Sequence, residues 1–400
     1  MGVDPVRHPR PWLAALALFG VGAAASAFAW SLPALVVARA VQGFGGGMLE
    51  PLMLTAVATL AGPARMGRIM GLVAGAIGIG PLLGPLLGGV AVDAIGWRGL
   101  FAAFVVAAAA VLVVSWRALP GGVPLDPALR LDRLGLALLS VGSVAVLVGL
   151  AETSEDGGTL AVVGPIVLGL SVLAAFARHA ARRGGAAVVD VAVLRNPTVL
   201  SATLVMLTLG LAIYPLFYGL PQFFQGVRGY GVLASGLLLA PQGAGSLVGM
   251  ILGGRLSDRV SARVLVPSGA AAVVVGMAVY LVVGPTAPIA VLVATSVAAG
   301  LGVGFVGGPT TSSLYRVLTP HEIPNATTTL FVANQLGGAV GIAVLTGIVT
   351  AAGGAHATGW TPVAGGTPFW LPVLAGVAVA VGGLWLPRGV TLSEGTAQPQ

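Results

Sequence analysis

Between Ile69 and Val92 the chain runs through 24 residues without a single charge. A bilayer core about 30 Å thick is crossed by roughly 20 apolar residues in a helix, so this run is long enough to span one. Eleven further apolar segments begin near Trp12, Leu32, Leu100, Leu134, Leu160, Val199, Val232, Val264, Ile289, Pro324 and Phe369. In hydrocarbon only helices and closed barrels satisfy their own backbone hydrogen bonds, and these segments lack the two-residue alternation of barrel strands. The expected fold is an all-α integral membrane protein with 12 transmembrane helices. A composition that is 57% hydrophobic and 8% charged, with mean hydropathy +1.00, fits repeated crossing and excludes an ordinary soluble domain.

Charge sets the orientation. All 19 basic residues are Arg, and cytoplasmic loops carry the excess of positive charge. One set of alternate connections holds Arg7, Arg10, Arg65, Arg68, Arg117, Arg130, Arg133, Arg178, Arg182, Arg183, Arg195, Arg255, Arg259, Arg263, Arg316 and Arg388; the other holds Arg98, Arg228 and the acidic turn from Glu152 to Gly158. The first set is therefore cytoplasmic, both termini lie inside, and the expected location is the inner, or plasma, membrane. Arg7 and Arg10 before an apolar run ending Ala25-Ser26-Ala27 imitate a secretory signal, but the run from Trp12 to Trp30 outlasts a usual signal core of about 7 to 15 residues. The basic residues form no dense patch with interleaved aromatics, which excludes a nucleic-acid partner.

Nothing in the sequence argues for an enzyme. His8, His179, His321 and His356 fall in loops or at span ends with no metal-ligand spacing. There is no Cys, hence no disulfide framework or thiolate metal site, and no Lys, hence no phosphate-binding loop for ATP hydrolysis. No catalytic residue, metal or cofactor is expected. Two longer polar connections, Arg117 to Arg133 and Arg178 to Asn196, divide the chain into a segment at 1–11, four spans at 12–116, a central two-span linker region at 117–196, six spans at 197–386 and a tail at 387–400. They are either plain solvated loops or module boundaries in a transporter built from repeats.

Four stretches carry a family resemblance over nearly the whole chain. ALVVARAVQGFGGG, from Ala34 to Gly47, resembles the R-x-x-Q-G motif of the major facilitator superfamily; GIGPLLGPLLGG, from Gly78 to Gly89, followed by GWRGLF, resembles the antiporter signature of its drug:proton exchangers. GGRLSDRVSAR, from Gly253 to Arg263, is similar to the cytoplasmic G-x-L-x-D-R loop, and LPQFFQGVRGYG with NQLGGAVGIAV look like the second half of the fourteen-span multidrug branch. The resemblance implies a complete second bundle beginning at the seventh segment. It also implies that the first bundle lacks two helices before Trp12, so that the 12 segments correspond to spans 3 to 14 of a 14-span architecture.

The implied function is a secondary active transporter. It would use the proton gradient to export apolar or cationic drugs across the inner membrane by alternating access, with protons, a small-molecule substrate and the lipid bilayer as partners; a periplasmic adaptor is left open. Alternatives are a dedicated exporter of one metabolite or antibiotic, and a truncated relative that inserts but does not transport. Arg39 and Glu50 are the charged residues within spans, and each costs roughly 2.5 to 3.5 kcal/mol at a helix centre. They share a face with Gln42 and Gly46 yet stand about 16 Å apart along the axis. Arg39 matches the family's motif arginine, which is proposed to influence protonation of a nearby acid. Glu50 is either a coupling carboxyl or a neutral cap for a carbonyl freed by Pro51.

Gly80, Gly84 and Gly88 share one face at a four-residue period, and Pro81 and Pro85 each remove a backbone hydrogen bond, so with Gly89 they predict a kinked helix that a neighbour approaches closely. At the implied cytoplasmic gate stand Gly254, Asp258, Arg259 and Arg263, with Ser261 where the family's loop usually has Gly. Tyr214 and Tyr218 either stack on a planar drug or belong to an interfacial aromatic belt. Gln42, Gln222, Gln225, Gln242, Asn334 and Gln335 suit either a weakly selective cavity or bonding between helices.

Overall fold

The computed structural model describes residues 10–118, 132–152, 159–184, 191–257, 259–315, 317–318, 323–351 and 369–387, with 187 and 189. Among them the regular structure is helical: α1 (Arg10–Ala27), α2 (Leu32–Ala118), α3 (Arg133–Ala151), α4 (Thr159–Arg183), α5 (Pro197–Gln222), α6 (Val232–Leu256), α7 (Ala262–Val283), α8 (Ile289–Tyr315), α9 (Ile323–Ala351) and α10 (Trp370–Gly383). Nine stretches of these are long and apolar enough to cross a membrane, and Pro11–Ala27 and Trp370–Gly383 are shorter apolar helices. The chain groups into two compact units, one from 1–77 and 86–129, the other from 78–85 and 130–400.

In the first unit α2 is an 87-residue helical run, and it cannot be a straight rod. A straight helix would hold residues 39 and 101 about 93 Å apart, yet the Arg39 guanidinium lies 5.4 Å from the centroid of the Phe101 ring. Gly96, at φ 70°, supplies one break, a left-handed conformation that glycine adopts without a Cβ clash. Both ends of α2 pack antiparallel to α1. Gly22 abuts Gln42 while Gly45 abuts Phe19 and Ala15; Trp12 reaches Ser115 at 3.1 Å and Arg98 reaches the Ala29 carbonyl at 3.0 Å.

In the second unit, glycine contacts set the helix registers. Gly300 lies against Gln242 and Ser246, Gly304 against Gly249 and Met250, so α6 and α8 run parallel. Gly210 lies against Asn334, Gly341 against Leu211 and Pro215, and Gly219 against Leu345, so α5 and α9 run parallel too. Gly269 meets Gly302 and Gly276 meets Thr295, making α7 antiparallel to α8; Gly376 and Gly383 seat α10 antiparallel on α7. These are the directions that single alternating crossings demand. Small residues allow such close approach where lipid offers no hydrophobic drive between helices.

The central pair, read from sequence as a separate linker region, belongs to this second unit. α3 and α4 pack antiparallel through Gly142, Gly149 and Gly169, and the cluster of Phe176, Ala180 and Val189 takes in Leu138 from α3 and Val332 from α9. Packing of these side chains against Val332 is the contact that joins the pair to the bundle. At one end of the core, Phe223, Phe224, Tyr280 and Phe369 meet edge-on or tilted at centroid distances of 5.1 to 6.3 Å. The Tyr280 hydroxyl meets the Leu292 carbonyl at 3.0 Å and Ser296 Oγ at 2.7 Å, so no polar atom of that ring is left bare.

Candidate functional site

In the first unit, Arg39 and Gln42 stand three residues apart on one helical face, and Arg39 Nη1 donates to Gln42 Oε1 at 2.6 Å. Gln42 is only 3% exposed. Phe101 faces the guanidinium from the far end of α2, so the charge is held by a carboxamide and an aromatic face. The sequence offered no signal for Phe101, because 62 residues separate it from Arg39 and only the fold-back joins them. The side chains of Glu50 and Pro51 lie outside the described residues.

The backbone is helical through both Gly-Pro steps. No heavy atom of the described residues comes within 4 Å of a Cβ built on Gly80, Gly84 or Gly88, and Gly80 and Gly84 are exposed. Gly89 is buried, and the side chains of Pro81 and Pro85, like those of residues 54–79, lie outside the described residues.

At the loop between α6 and α7, Asp258 lies outside the described residues. Gly254 and Arg259 are exposed. Arg263 Nε donates to the Leu386 carbonyl at 3.1 Å, tying α7 to the end of the last helix, where a cation meets the negative end of the α10 dipole. Ser261, the departure from Gly, is the N-cap of α7: its side chain accepts from the Arg263 amide. A serine there satisfies an orphan donor that glycine could not reach.

One stripe of α5 carries Leu200, Leu204, Leu207, Leu211, Tyr214, Tyr218 and Gln222, each three or four residues after the last; Leu200, Leu204 and Gln222 are exposed, the four between are half-buried, and Leu207, Leu211 and Tyr214 lie at the seam with α9. The stripe is aliphatic over one half of the helix and polar or aromatic over the other. Parallel to it, α9 brings two neutral amides to different tasks. Asn334 Nδ2 donates to the Met206 carbonyl at 3.0 Å and straps the two helices together. The exposed Gln335 accepts through Oε1 from the Tyr214 hydroxyl. The Tyr214 ring is seated on Gly338, where a Cβ would fall 2.3 Å from Cδ2. Gln222 and Gln225 are exposed, and Gln242 is 3% exposed with an Oε1 that meets no hydrogen-bond donor among the described residues.

A second polar cluster escaped the sequence reading. Asp132, whose side chain is 1% exposed, accepts from the Gly135 amide at 2.9 Å as the N-cap of α3 and meets His179 Nε2 at 2.8 Å, with Arg183 Nη1 at 3.7 Å. Asp before Arg-Leu-Gly was legible as a cap; its partner His179, 47 residues away on α4, was not. Among the described residues no three His, Cys, Asp or Glu side chains gather as a metal site.

The family model described as Major Facilitator Superfamily matches residues 4–342. The chain belongs to the Major Facilitator Superfamily. It is 32% identical over 85% of its length to the multidrug resistance protein B homolog of Mycobacterium tuberculosis, and spans 64% of that relative. It is 31% identical over 84% of its length to the cephamycin export protein CmcT of Amycolatopsis lactamdurans, covering 71% of it. Among solved structures, the crystal structure of a D-xylose-proton symporter superposes with a TM-score of 0.66 over 94% of this chain and 81% of that one, at 16% identity. The fold is thus that of a superfamily transporter, multi-pass and all-helical. In this superfamily member the R-x-x-Q-G arginine and glutamine, Arg39 and Gln42, are bonded to each other.

Proposed function

We propose that the chain is a proton-coupled exporter of drug-like compounds in the inner membrane, with both termini cytoplasmic. The observation that carries this reading is the edge of the α5–α9 seam in a superfamily member, where the half-buried Tyr214 and Tyr218 and the exposed Gln222 and Gln335 bring aromatic rings and neutral amides to the same two helices. Such a surface suits planar or apolar cargo without demanding a fixed charge. Arg39 is the element suited to coupling, because its positive charge in an apolar span favours release of a proton from any acid brought near it. Glu50 is the carboxyl on its face. One proton moving through about 100 mV supplies roughly 2.3 kcal/mol, and one pH unit adds about 1.4 kcal/mol. Together they sustain a gradient of a neutral compound on the order of several hundred-fold.

The test is export in everted vesicles holding the full chain. Imposed inside-acid gradients should drive uptake of a fluorescent lipophilic cation, and a protonophore should abolish it. Uptake that ignores the gradient would refute proton coupling. A second reading, export of a single antibiotic, is favoured by the likeness to the cephamycin export protein; one compound transported from a chemically broad panel would select it.

A further inference from the structure

Gln335 sits 12 residues after the start of α9 and 16 before its end, at mid-span, and it is exposed. A bare carboxamide facing hydrocarbon at that depth would leave its N–H groups unbonded at a substantial cost. The side chain is not idle: its Oε1 accepts from Tyr214, which leaves the Nε2 group directed away from the tyrosine. Gln335 makes no other hydrogen bond among the described residues. Its neighbour Asn334 cannot share the task, because its own amide nitrogen is committed to the Met206 carbonyl.

The position of the pair is fixed by the backbone. Parallel packing of α5 on α9 brings Tyr214 over Gly338, a residue whose lack of a Cβ makes room for the ring. The ring is therefore held by α9 while its hydroxyl holds Gln335, and a polarised chain of O–H···O=C strengthens the outward N–H donors. Phe331, one turn before Gln335, is 43% exposed and adds an apolar wall beside the donor.

We infer that Gln335 reads hydrogen-bond acceptors: its Nε2 group donates to a carbonyl oxygen on the transported compound, and Tyr214 is the positioning residue that fixes the carboxamide. The assignment rests on the export reading above and narrows it. The cargo is an apolar molecule, neutral or cationic, that carries a carbonyl oxygen beside its apolar surface. A compound of the same shape with no acceptor binds more weakly by one neutral hydrogen bond, about 2- to 13-fold in Kd.

Two probes separate the hydrogen bond from shape and charge. Para-acetylbenzyl triphenylphosphonium and its para-isopropenyl counterpart differ only in C=O against C=CH2. Equilibrium dialysis against the purified full chain, with no gradient, should favour the acetyl probe by about 2- to 13-fold. Gln335→Leu, and Gln335→Met as a second replacement that keeps the length, should bring the ratio of the two Kd values to about one. Tyr214→Phe keeps the ring on Gly338 and should give an intermediate ratio. A wild-type ratio of one, a preference that survives both Gln335 variants, or equal loss of both probes in both variants would overturn the assignment. Transport is measured separately: discrimination in binding with no gradient-driven movement sinks the export reading alone, and movement of both probes without discrimination sinks the Gln335 assignment alone.

Discussion

Replacing Asp132 by Ala removes at least three interactions at once from the end of the central pair. The loss of the N-cap to the Gly135 amide costs about 1 kcal/mol. The loss of a charge-assisted hydrogen bond from His179 costs about 1.5 to 3 kcal/mol. Arg183, at 3.7 Å and 34% exposed, is screened by water and adds little. The sum, about 2.5 to 4 kcal/mol, bears on the packing of α3 against α4 rather than on the whole bundle. The chain has no Cys, so Ala180→Cys, at a wholly buried site on α4, reports local opening by its rate of maleimide labelling. Asp132→Ala should raise that rate about 60- to 700-fold. Asp132→Asn, which keeps the cap acceptor but not the charge, should fall between. A rise of less than about fivefold would show that the α3–α4 end is held by apolar packing and that the Asp132 cluster is incidental.

Glu50→Gln keeps shape and hydrogen bonding but cannot ionise, so it should abolish pH-driven export while leaving insertion and cargo binding intact; wild-type rates across imposed pH gradients would remove Glu50 from coupling. Gly338→Ala puts a methyl 2.3 Å from Tyr214 Cδ2 and should lower thermal stability by about 1 to 3 kcal/mol as the ring is displaced; an unchanged Tm in detergent would refute the seating. Gln242→Met replaces a buried carboxamide whose oxygen lacks a donor among the described residues, and should leave unfolding free energy unchanged or raised by about 1 kcal/mol. A loss of that size, read in chemical denaturation, would show that the oxygen has a partner.

Most helix starts were legible because apolar length is a local property, whereas the segments near Ile69 and Leu100 fall inside the one helical run of α2. Val232 and Ile289 open their helices where the hydropathy places them, and Leu134, Leu160, Val199 and Val264 fall within two residues of the observed starts. The cap at Asn196, accepting from the Thr198 amide ahead of a first-turn Pro197, is likewise written in neighbouring residues. Contacts that join distant residues were not legible. Nothing near Arg39 announces Phe101, nothing near Asp132 announces His179, and the division of labour between Asn334 and Gln335 depends on which of two adjacent side chains faces α5. The return of the Phe223–Val227 segment as a π-turn, pinned by Arg228 donating to the Pro285 carbonyl at 2.7 Å, is of the same kind.

Parallel packing of α5 with α9 has a consequence for biosynthesis. Met206 and Asn334 are 128 residues apart, and a ribosome adding about 5 to 20 residues per second needs roughly 6 to 26 s to make that length. Throughout that interval the newly inserted α5 lies in the bilayer without the partner that covers Gly210 and receives Tyr214, while α6, α7 and α8 are threaded in behind it. Association must then occur laterally, between helices already across the membrane, and α9 must find α5 rather than the helix made just before it. The glycines along this seam thus form contacts that a nascent chain makes only after α9 has crossed the membrane.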